Sequence, residues 1–168
     1  MYEILIVGGG PAGLTAAIYA ARAGKHVAVL ERGSTGGQII SAPLVENYPG
    51  IPSVSGTELA RQMTEQACTF GAEIVYTEAV GLEKTPAGFR VLCTDGVREA
   101  KTVILATGAA HRSLGLAAED ALTGCGVSYC AVCDGAFYEG LDVAVVGGGD
   151  TAVQDALLLA NICRSVTL

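Results

Sequence analysis

The sequence predicts an α/β protein in which a glycine-rich turn joins a strand to a helix at two places. The short apolar run Tyr2–Val7 ends at Gly8-Gly9-Gly10, and an alanine-rich helical segment follows it. The same order of segments returns from Asp142 onward. A strand, a helix and a second strand in succession favour a parallel sheet, because parallel neighbours are joined by a right-handed crossover.

Composition and charge limit the class of protein. The chain has 168 residues, of which 51% are hydrophobic and 16% charged, so it can bury a core and is not disordered. Its length allows one domain, or one domain with part of another. A net charge of −7 argues against a nucleic-acid partner, which would require a clustered basic face. No run approaches the roughly 18 apolar residues of a membrane span, and no signal peptide is visible. We therefore expect a cytoplasmic protein with no membrane partner.

The first strand–helix–strand unit and the loop after it account for the chain up to residue 55. We expect a helix over Leu14–Ala23 and a second strand over Val27–Leu30, which ends at Glu31. The segment Gly33–Ser55 is rich in Gly, Pro, Ser and Asn without a clear period, so it is predicted to be a long loop.

A second helix is predicted from residue 55, and short strands follow it. Ser55 and Glu58 form a capping box at its start. The apolar residues that then recur at helical spacing are Leu59, Met63, Ala67 and Phe70, before Gly71 ends the helix. The predicted strands are Ile74–Tyr76, Ala79–Leu82, Phe89–Thr94 and Thr102–Leu105. The segment His111–Gly126 is predicted to be a connector and the domain boundary.

The second copy of the opening unit lies at an offset of 139 residues, as from Gly8 to Gly147. It consists of a strand over Val143–Val146, a glycine turn, a helix from Thr151 and a strand that begins near Ser165. The chain stops two residues before the counterpart of Glu31 would come. We therefore expect the second unit to be incomplete.

The first glycine turn has the pattern of a dinucleotide site. Gly8, Gly10 and Gly13 frame Pro11-Ala12 in G-x-G-x-x-G directly between a strand and a helix. In such turns the glycines allow the tight bend, the approach of a pyrophosphate and close helix packing, and the helix N-terminus attracts the negative charge. Glu31 ends the next strand, where a carboxylate can bind a ribose diol. The alternative is a glycine turn that serves helix–strand packing only.

The second turn follows the G-x-G-x-x-A variant, with Gly147, Gly149 and Ala152 around Asp150-Thr151. Its strand and helix are present, whereas its acidic or basic selector is not. Two such turns with a pair of cysteines between them suggest electron flow between two nucleotide cofactors.

The pair Cys130 and Cys133, followed by Asp134, is predicted to be a redox-active dithiol. On one helical turn their Cβ atoms would lie roughly 5–6 Å apart, so a small adjustment would close a disulfide. A helix N-terminus would stabilise a thiolate, and Asp134 could deliver or collect a proton.

Three alternatives to the redox dithiol stay open. Zinc lacks a second ligand pair, a purely structural disulfide is unusual in a cytosolic chain, and the cysteines could be buried by coincidence. We expect Cys68, Cys93 and Cys163 to be small buried apolar residues and leave Cys125 unassigned.

The order of these motifs resembles that of the low-molecular-weight thioredoxin reductases over the whole chain. The motifs that carry the resemblance are Gly8-Gly9-Gly10-Pro11-Ala12-Gly13, Gly36-Gly37-Gln38, Asn47-Tyr48-Pro49-Gly50, Ala106-Thr107-Gly108-Ala109, Cys130-Ala-Val-Cys133-Asp134 and Gly147-Gly148-Gly149-Asp150. The resemblance implies an FAD-binding, Rossmann-like, three-layer ββα domain over 1–112. It also implies the start of a second Rossmann-like nucleotide-binding domain over 113–168, which carries the dithiol.

The resemblance also implies an activity. In the family NADPH reduces FAD, FAD reduces the dithiol, and the dithiol reduces a thioredoxin-like protein while the two domains rotate relative to each other. The implied cofactor-binding residues are Gly8, Gly10, Pro11, Ala12, Gly13 and Glu31 for the FAD pyrophosphate and ribose, Gly37, Gln38, Asn47, Thr107 and Gly108 near the flavin, and Gly147, Gly149, Asp150, Thr151 and Ala152 for the second nucleotide. Cys133 would face the flavin with Cys130 as its partner and Asp134 as acid/base. A homodimer without a metal is expected.

The chain departs from the family pattern in length. Family members return to the FAD domain after completing the nucleotide domain, so we expect an N-terminal fragment. Two alternatives stay open. One is a related flavoprotein, namely an alkyl hydroperoxide reductase subunit, a ferredoxin-linked reductase or a dithiol oxidase. The other is a truncated, non-catalytic nucleotide-binding chain.

Overall fold

The computed structural model describes residues 1–168 and divides into two compact units, Met1–Ala109 and Ala110–Leu168. None of the helices combines the length and the apolar character that a membrane span requires.

The first unit is built on a six-stranded sheet with two helices. Its elements are β1 (Tyr2–Val7), α1 (Pro11–Arg22), β2 (Val27–Glu31), a 3-10 helix (Gly37–Ser41), α2 (Gly56–Thr69), β3 (Glu73–Tyr76), β4 (Ala79–Thr85), β5 (Gly88–Cys93) and β6 (Gly96–Leu105). The strand order is β3-β2-β1-β6-β5-β4, with β1 parallel to both β2 and β6. Val7 pairs with Leu30 on one side and with Leu105 on the other, so the carboxyl ends of these three strands meet at one edge.

The parallel α/β core predicted from the sequence is confirmed, and alanines on α1 let that helix lie close to the sheet. Ala17 and Ala21 of α1 pack in one buried cluster with Val27 and Val29 of β2. The strand β2 is buried over its first four residues because both of its faces are covered.

The predicted cap of α2 is confirmed, since the Ser55 Oγ accepts the Glu58 N–H at 3.2 Å. The helix ends before Gly71 as predicted, but Phe70, the last residue of the apolar spacing, is the C-cap and is 42% exposed, with the Arg22 guanidinium 5.5 Å from its ring centre. Cys68 is also exposed, contrary to expectation, because the buried face of α2 runs through the neighbouring Ala67 instead. Cys93 and Cys163 are half-buried rather than buried.

The loop predicted over Gly33–Ser55 contains more order than its composition suggests. It holds the 3-10 helix, and Val45 and Val54 pair as an isolated bridge. The Gly56 N–H donates to the Ala42 carbonyl at 2.9 Å, which ties the loop to the start of α2.

The second unit contains three helices and a two-stranded parallel sheet. Its elements are α3 (Glu119–Leu122), α4 (Ala131–Asp134), a 3-10 helix (Gly135–Tyr138), β7 (Asp142–Ala144), α5 (Asp150–Leu159) and β8 (Ser165–Thr167). The predicted strand Val143–Val146 is shorter than expected, because β7 pairs only along the three residues of β8. The predicted connector His111–Gly126 includes α3 rather than being continuous loop.

The internal repeat extends to the pairing register. Ile4 pairs with Val27 in the first unit, and Val143 pairs with Val166 in the second, at positions that correspond under the same offset.

An ion pair at the start of the sheet is repeated as well. Lys25 Nζ lies 3.2 Å from Glu3 Oε1, and at the corresponding positions Arg164 Nε lies 2.9 Å from Asp142 Oδ1. The two copies therefore share their strand pairing and this ion pair. In the second copy Asp142 replaces Glu3 and Arg164 replaces Lys25, so the charges keep their signs.

Candidate nucleotide and dithiol sites

The first glycine turn lies at the edge where the carboxyl ends of β1, β2 and β6 meet. A Cβ built on Gly8, whose φ is 107°, would lie 2.2 Å from the Ala106 carbonyl oxygen. A Cβ built on Gly13 would lie 1.9 Å from the Gly8 carbonyl oxygen. Both positions therefore require glycine, the first for close approach to the end of β6 and the second for close packing of α1.

The start of α1 is open toward an anion. Gly10 is its N-cap, no side chain caps it, and Pro11 occupies the first turn. The first N–H groups of a helix have no partner within the helix, so an anion can bind there. A Cβ built on Gly10 would meet only the Gly37 Cα, at 4.0 Å, so the backbone at this point is accessible. The glycine backbone and the N–H groups at the start of α1 form a cradle that fits a pyrophosphate.

Glu31 is held at the end of β2 by two backbone groups. Its Oε2 accepts the Gly9 N–H at 2.7 Å, and its Oε1 accepts the Gly33 N–H at 2.9 Å. The carboxylate is thus fixed beside the glycine turn, at the place where a ribose would lie if the pyrophosphate occupied the cradle.

The predicted flavin-site residues are brought together only in part. The Gln38 Nε2 donates to the Ala109 carbonyl, which joins the 3-10 helix to the segment after β6. Thr107 and Gly108 are exposed in that same segment. Asn47 is exposed in the loop between the bridge residues Val45 and Val54. Its side chain makes no hydrogen bond to Gln38, Thr107 or Gly108.

The second glycine turn repeats the geometry of the first in a more open form. Gly149 is the N-cap of α5, again with no capping side chain, and Asp150 and Thr151 begin the helix. Ala152 stands at the position that corresponds to Gly13, so this copy accommodates a side chain there, and a Cβ built on Gly147 would lie 2.9 Å from the Ala152 Cβ.

A cavity of about 760 Å³ lies within the second unit and connects this turn with the cysteines. Its lining includes Gly147, Gly149 and Thr151 from the turn and Cys130 from the dithiol. A ligand in the cavity would therefore contact both features.

Cys130 and Cys133 are joined by a disulfide, with Cα atoms 5.3 Å apart. The expected geometry is corrected in one respect: Cys130 precedes α4 as its N-cap, with φ −141° and ψ 93°, instead of lying on the helical turn. The Cys133 N–H points at the Cys130 Sγ at 3.2 Å, and an N–H directed at a sulfur stabilises the thiolate form. Cys133 is exposed and Cys130 half-buried.

Asp134 is hydrogen-bonded to Cys130 through its backbone and to Ser128 through its side chain. Its N–H donates to the Cys130 carbonyl at 3.0 Å, and its carboxylate accepts the hydroxyl of Ser128 at 2.5 Å. Sequence reasoning missed Ser128, although it lies only two residues before Cys130.

Glu119 is a second residue that sequence reasoning missed. It is buried, and it accepts the N–H groups of Leu114 and Gly115 at 2.7 Å each and that of Leu116 at 3.2 Å. These N–H groups, that of Leu114 foremost, lower the pKa of the Glu119 carboxyl. The Tyr129 hydroxyl also donates to Glu119, so this carboxylate fixes the residue next to Cys130.

No cluster of three or more His, Cys, Asp or Glu side chains that could hold a metal ion is present.

A family model described as pyridine nucleotide-disulphide oxidoreductase matches residues 2–168. The chain belongs to this family. The family pairs a nucleotide-binding fold with a disulfide chemistry, as the two glycine turns and the cysteine pair suggest.

Members of this family that are thioredoxin reductases resemble the chain along its whole length, as the sequence motifs predict. The thioredoxin reductase of Listeria monocytogenes is 44% identical over 168 residues, which is 100% of this chain and 53% of that protein. The Bacillus subtilis thioredoxin reductase is 43% identical over the same length and coverage. The crystal structure of thioredoxin reductase from Streptococcus pyogenes has 49% identity and a TM-score of 0.85, over 99% of this chain and 54% of that one. The chain spans about half the length of the curated relatives it matches.

Proposed function

We propose that the chain is part of a flavin-dependent disulfide reductase that passes electrons from NADPH through FAD and the Cys130–Cys133 dithiol to a thioredoxin-like protein. The observation that carries the proposal is the Cys130–Cys133 disulfide. Cys133 is exposed, and the carboxylate of Asp134 follows it directly in the chain. The names of the relatives support the choice of acceptor.

In this proposal the first unit binds FAD. The N–H groups at the start of α1 hold the pyrophosphate, and Glu31 accepts hydrogen bonds from the ribose hydroxyls. Gln38, Asn47, Thr107 and Gly108 lie near the flavin. The bound flavin supplies two electrons to the disulfide. The proposed domain bounds, 1–112 for FAD and 113–168 for NADPH, differ slightly from the two compact units.

The dithiol then reduces the acceptor. Two electrons and two protons convert the Cys130–Cys133 disulfide to two thiols, with Cys133 toward the flavin. One cysteine, as its thiolate, attacks the acceptor disulfide and forms a mixed disulfide, which the second cysteine resolves. Asp134 accepts the proton that the attacking thiol gives up. The acceptor leaves as a dithiol, and the Cys130–Cys133 bond is restored.

FAD binding is tested with a side chain placed in the cradle. The purified chain is incubated with FAD, separated from free FAD by gel filtration, and examined for flavin absorbance. We expect Gly10→Val to lose the flavin and keep its circular dichroism spectrum, because a Cβ at Gly10 meets no atom of the chain closer than 4.0 Å. Thr15→Val, on the exposed face of α1, should bind FAD like the parent. A parent chain that stays colourless would overturn the first half of the proposal.

Electron transfer to the acceptor is tested in a single turnover. The chain is reduced with dithiothreitol, freed of reductant and mixed with oxidised thioredoxin, whose new thiols are counted by alkylation and mass spectrometry. We expect one thioredoxin disulfide to be reduced per chain, and none by Cys133→Ser. Cys125→Ser, which alters an exposed free cysteine, should behave like the parent. Full thioredoxin reduction by Cys133→Ser would exclude the dithiol as the donor.

A further inference from the structure

We propose that Ser128 is a positioning residue of the dithiol, in which one hydroxyl holds the Asp134 carboxylate next to Cys130 in both protonation states of that carboxyl group. This inference rests on the proposed function, because it assumes that Asp134 exchanges protons with the cysteine pair.

The Ser128 hydroxyl stands between a backbone group of Cys130 and the Asp134 side chain. The Cys130 N–H donates to Ser128 Oγ at 3.1 Å, and Ser128 Oγ lies 2.5 Å from Asp134 Oδ2. The Cys130 carbonyl oxygen lies at 3.4 Å from the same hydroxyl. A hydroxyl has a single proton to donate, and the shorter, charge-assisted bond to a carboxylate is the stronger one. With Asp134 ionised, Ser128 therefore donates to Asp134.

The main chain of Asp134 is anchored to the same cysteine. Its N–H donates to the Cys130 carbonyl at 3.0 Å, so the backbone is bonded to Cys130 directly and the side chain only through Ser128. Asp134 is only half-buried, and its side chain can rotate toward solvent once the Ser128 bond is removed. Ser128 is thus the group that keeps the carboxylate on the cysteine side.

The Cys130 carbonyl, the second acceptor within reach of the Ser128 hydroxyl, matters when the Asp134 carboxyl group takes up a proton. A neutral Asp134 becomes a donor, and Ser128 Oγ can then accept its O–H while turning its own proton to the Cys130 carbonyl. The hydroxyl is satisfied before and after the transfer, and the carboxyl group does not move. In the balanced reaction with a small dithiol, the Cys130–Cys133 bond breaks, the dithiol becomes a disulfide, and each cysteine sulfur gains one proton.

The experiment measures the rate at which dithiothreitol reduces the Cys130–Cys133 bond in the chain, across the pH range in which carboxyl and thiol groups titrate. We expect Ser128→Ala to be slower by about tenfold or more, since positioned proton transfer contributes at least that much to such steps. Ser128→Thr retains the hydroxyl and should recover most of the rate. In the Asp134→Asn background, Ser128→Ala should add little, because residues that act through one another are not additive.

The matched control is Ser165→Ala. Ser165 Oγ also donates to an aspartate of the second unit, Asp142, at 2.7 Å, so this change removes an equivalent bond away from the cysteines. It should leave the rate unchanged. Equal slowing by Ser165→Ala, or additive effects of Ser128→Ala and Asp134→Asn, would overturn the proposal.

A second variant covers the case in which Ser128→Ala does not fold. Asp134→Glu keeps the negative charge and displaces the carboxylate from its 2.5 Å contact with Ser128, so it should also slow reduction. A parental rate in Asp134→Glu would contradict the role assigned to Ser128. Because dithiothreitol supplies the electrons directly and no protein acceptor takes part, a chain that shows the expected pattern but does not reduce thioredoxin would refute the proposed acceptor alone.

Discussion

Glu119 shows at the scale of a single residue how backbone N–H groups can hold a buried carboxylate. Its partners are the N–H groups of Leu114, Gly115 and Leu116 and the hydroxyl of Tyr129. His111 stacks on the Tyr129 ring with centroids 3.4 Å apart. The carboxylate thereby connects the segment before α3 to the residue that precedes Cys130.

We expect Glu119→Gln to increase amide hydrogen exchange at Leu114, Gly115 and Leu116, because an amide has one acceptor oxygen where the carboxylate has two. Asp120→Asn, on the exposed neighbour, is the control and should leave exchange unchanged. Unchanged protection in Glu119→Gln would show that the backbone over residues 114–116 is stable without the Glu119 carboxylate.

The same carboxylate predicts a pH dependence. The pKa of Glu119 is lower in the folded chain than its ordinary value of 4.5, so its contribution to stability is complete above that value and is lost as pH falls through the lowered pKa. Protection of the Gly115 amide should therefore decline in acid in the parent chain. After correction for intrinsic exchange, it should be less sensitive to pH in Glu119→Gln.

Single residues differ in how far the sequence predicts them. Glu31 is predicted because its position after a strand and a glycine turn has a fixed geometric meaning. Ser128 and Glu119 are not, since their contacts depend on the path of irregular backbone, which no periodicity encodes. The burial of Cys68 is mispredicted because residue type alone does not say which helical face points inward.

At the scale of elements, the two glycine turns form an internal comparison. The first brings α1 so close to β1 that Gly13 has no room for a Cβ, whereas the second carries Ala152.

We expect Gly13→Ala to destabilise the chain by about 1–3 kcal/mol, the usual cost of overpacking, because the added carbon would lie 1.9 Å from the Gly8 oxygen. Urea unfolding followed by circular dichroism measures this. Thr15→Ala, on the exposed face of the same helix, should change stability by less than about 0.5 kcal/mol. A stability for Gly13→Ala equal to that of the parent would mean that the turn opens at no cost.

The N-cap of α2 permits a similar prediction. Ser55→Ala removes the acceptor for the Glu58 N–H and should lower the free energy of unfolding by about 1 kcal/mol. Ser53→Ala, in the preceding exposed loop, is the comparison in the same urea experiment. The capping pattern predicted this helix start correctly, and the helix ends as predicted, since Phe70 is its C-cap and Gly71 follows with a φ of 96°.

At the scale of the whole molecule, burial is distributed unevenly between the units. Leu159 is the only buried hydrophobic residue of the second unit. All the other buried hydrophobic residues lie in the first unit. The fold class was predictable from the sequence because strand, turn and helix follow each other in a fixed order. The order of the outer strands was not, because it depends on long-range pairing of short segments.

We therefore expect the amides of β1 and β2 to exchange most slowly and those of β7 and β8 markedly faster, since local opening is easiest where few apolar contacts are buried. Hydrogen exchange read by mass spectrometry on peptides measures both in one sample. Equal protection in the two sheets would contradict the inference from burial.

The disulfide closes a ring between residues only three positions apart in the chain. A link this local removes little freedom from the unfolded polypeptide, roughly 2 kcal/mol by the chain-entropy estimate and less than a bond that spans a long loop would. Opening it therefore costs the fold less stability than opening a disulfide across a long loop would. The bond adds a covalent link to the second unit while contributing comparatively little to what keeps the chain folded.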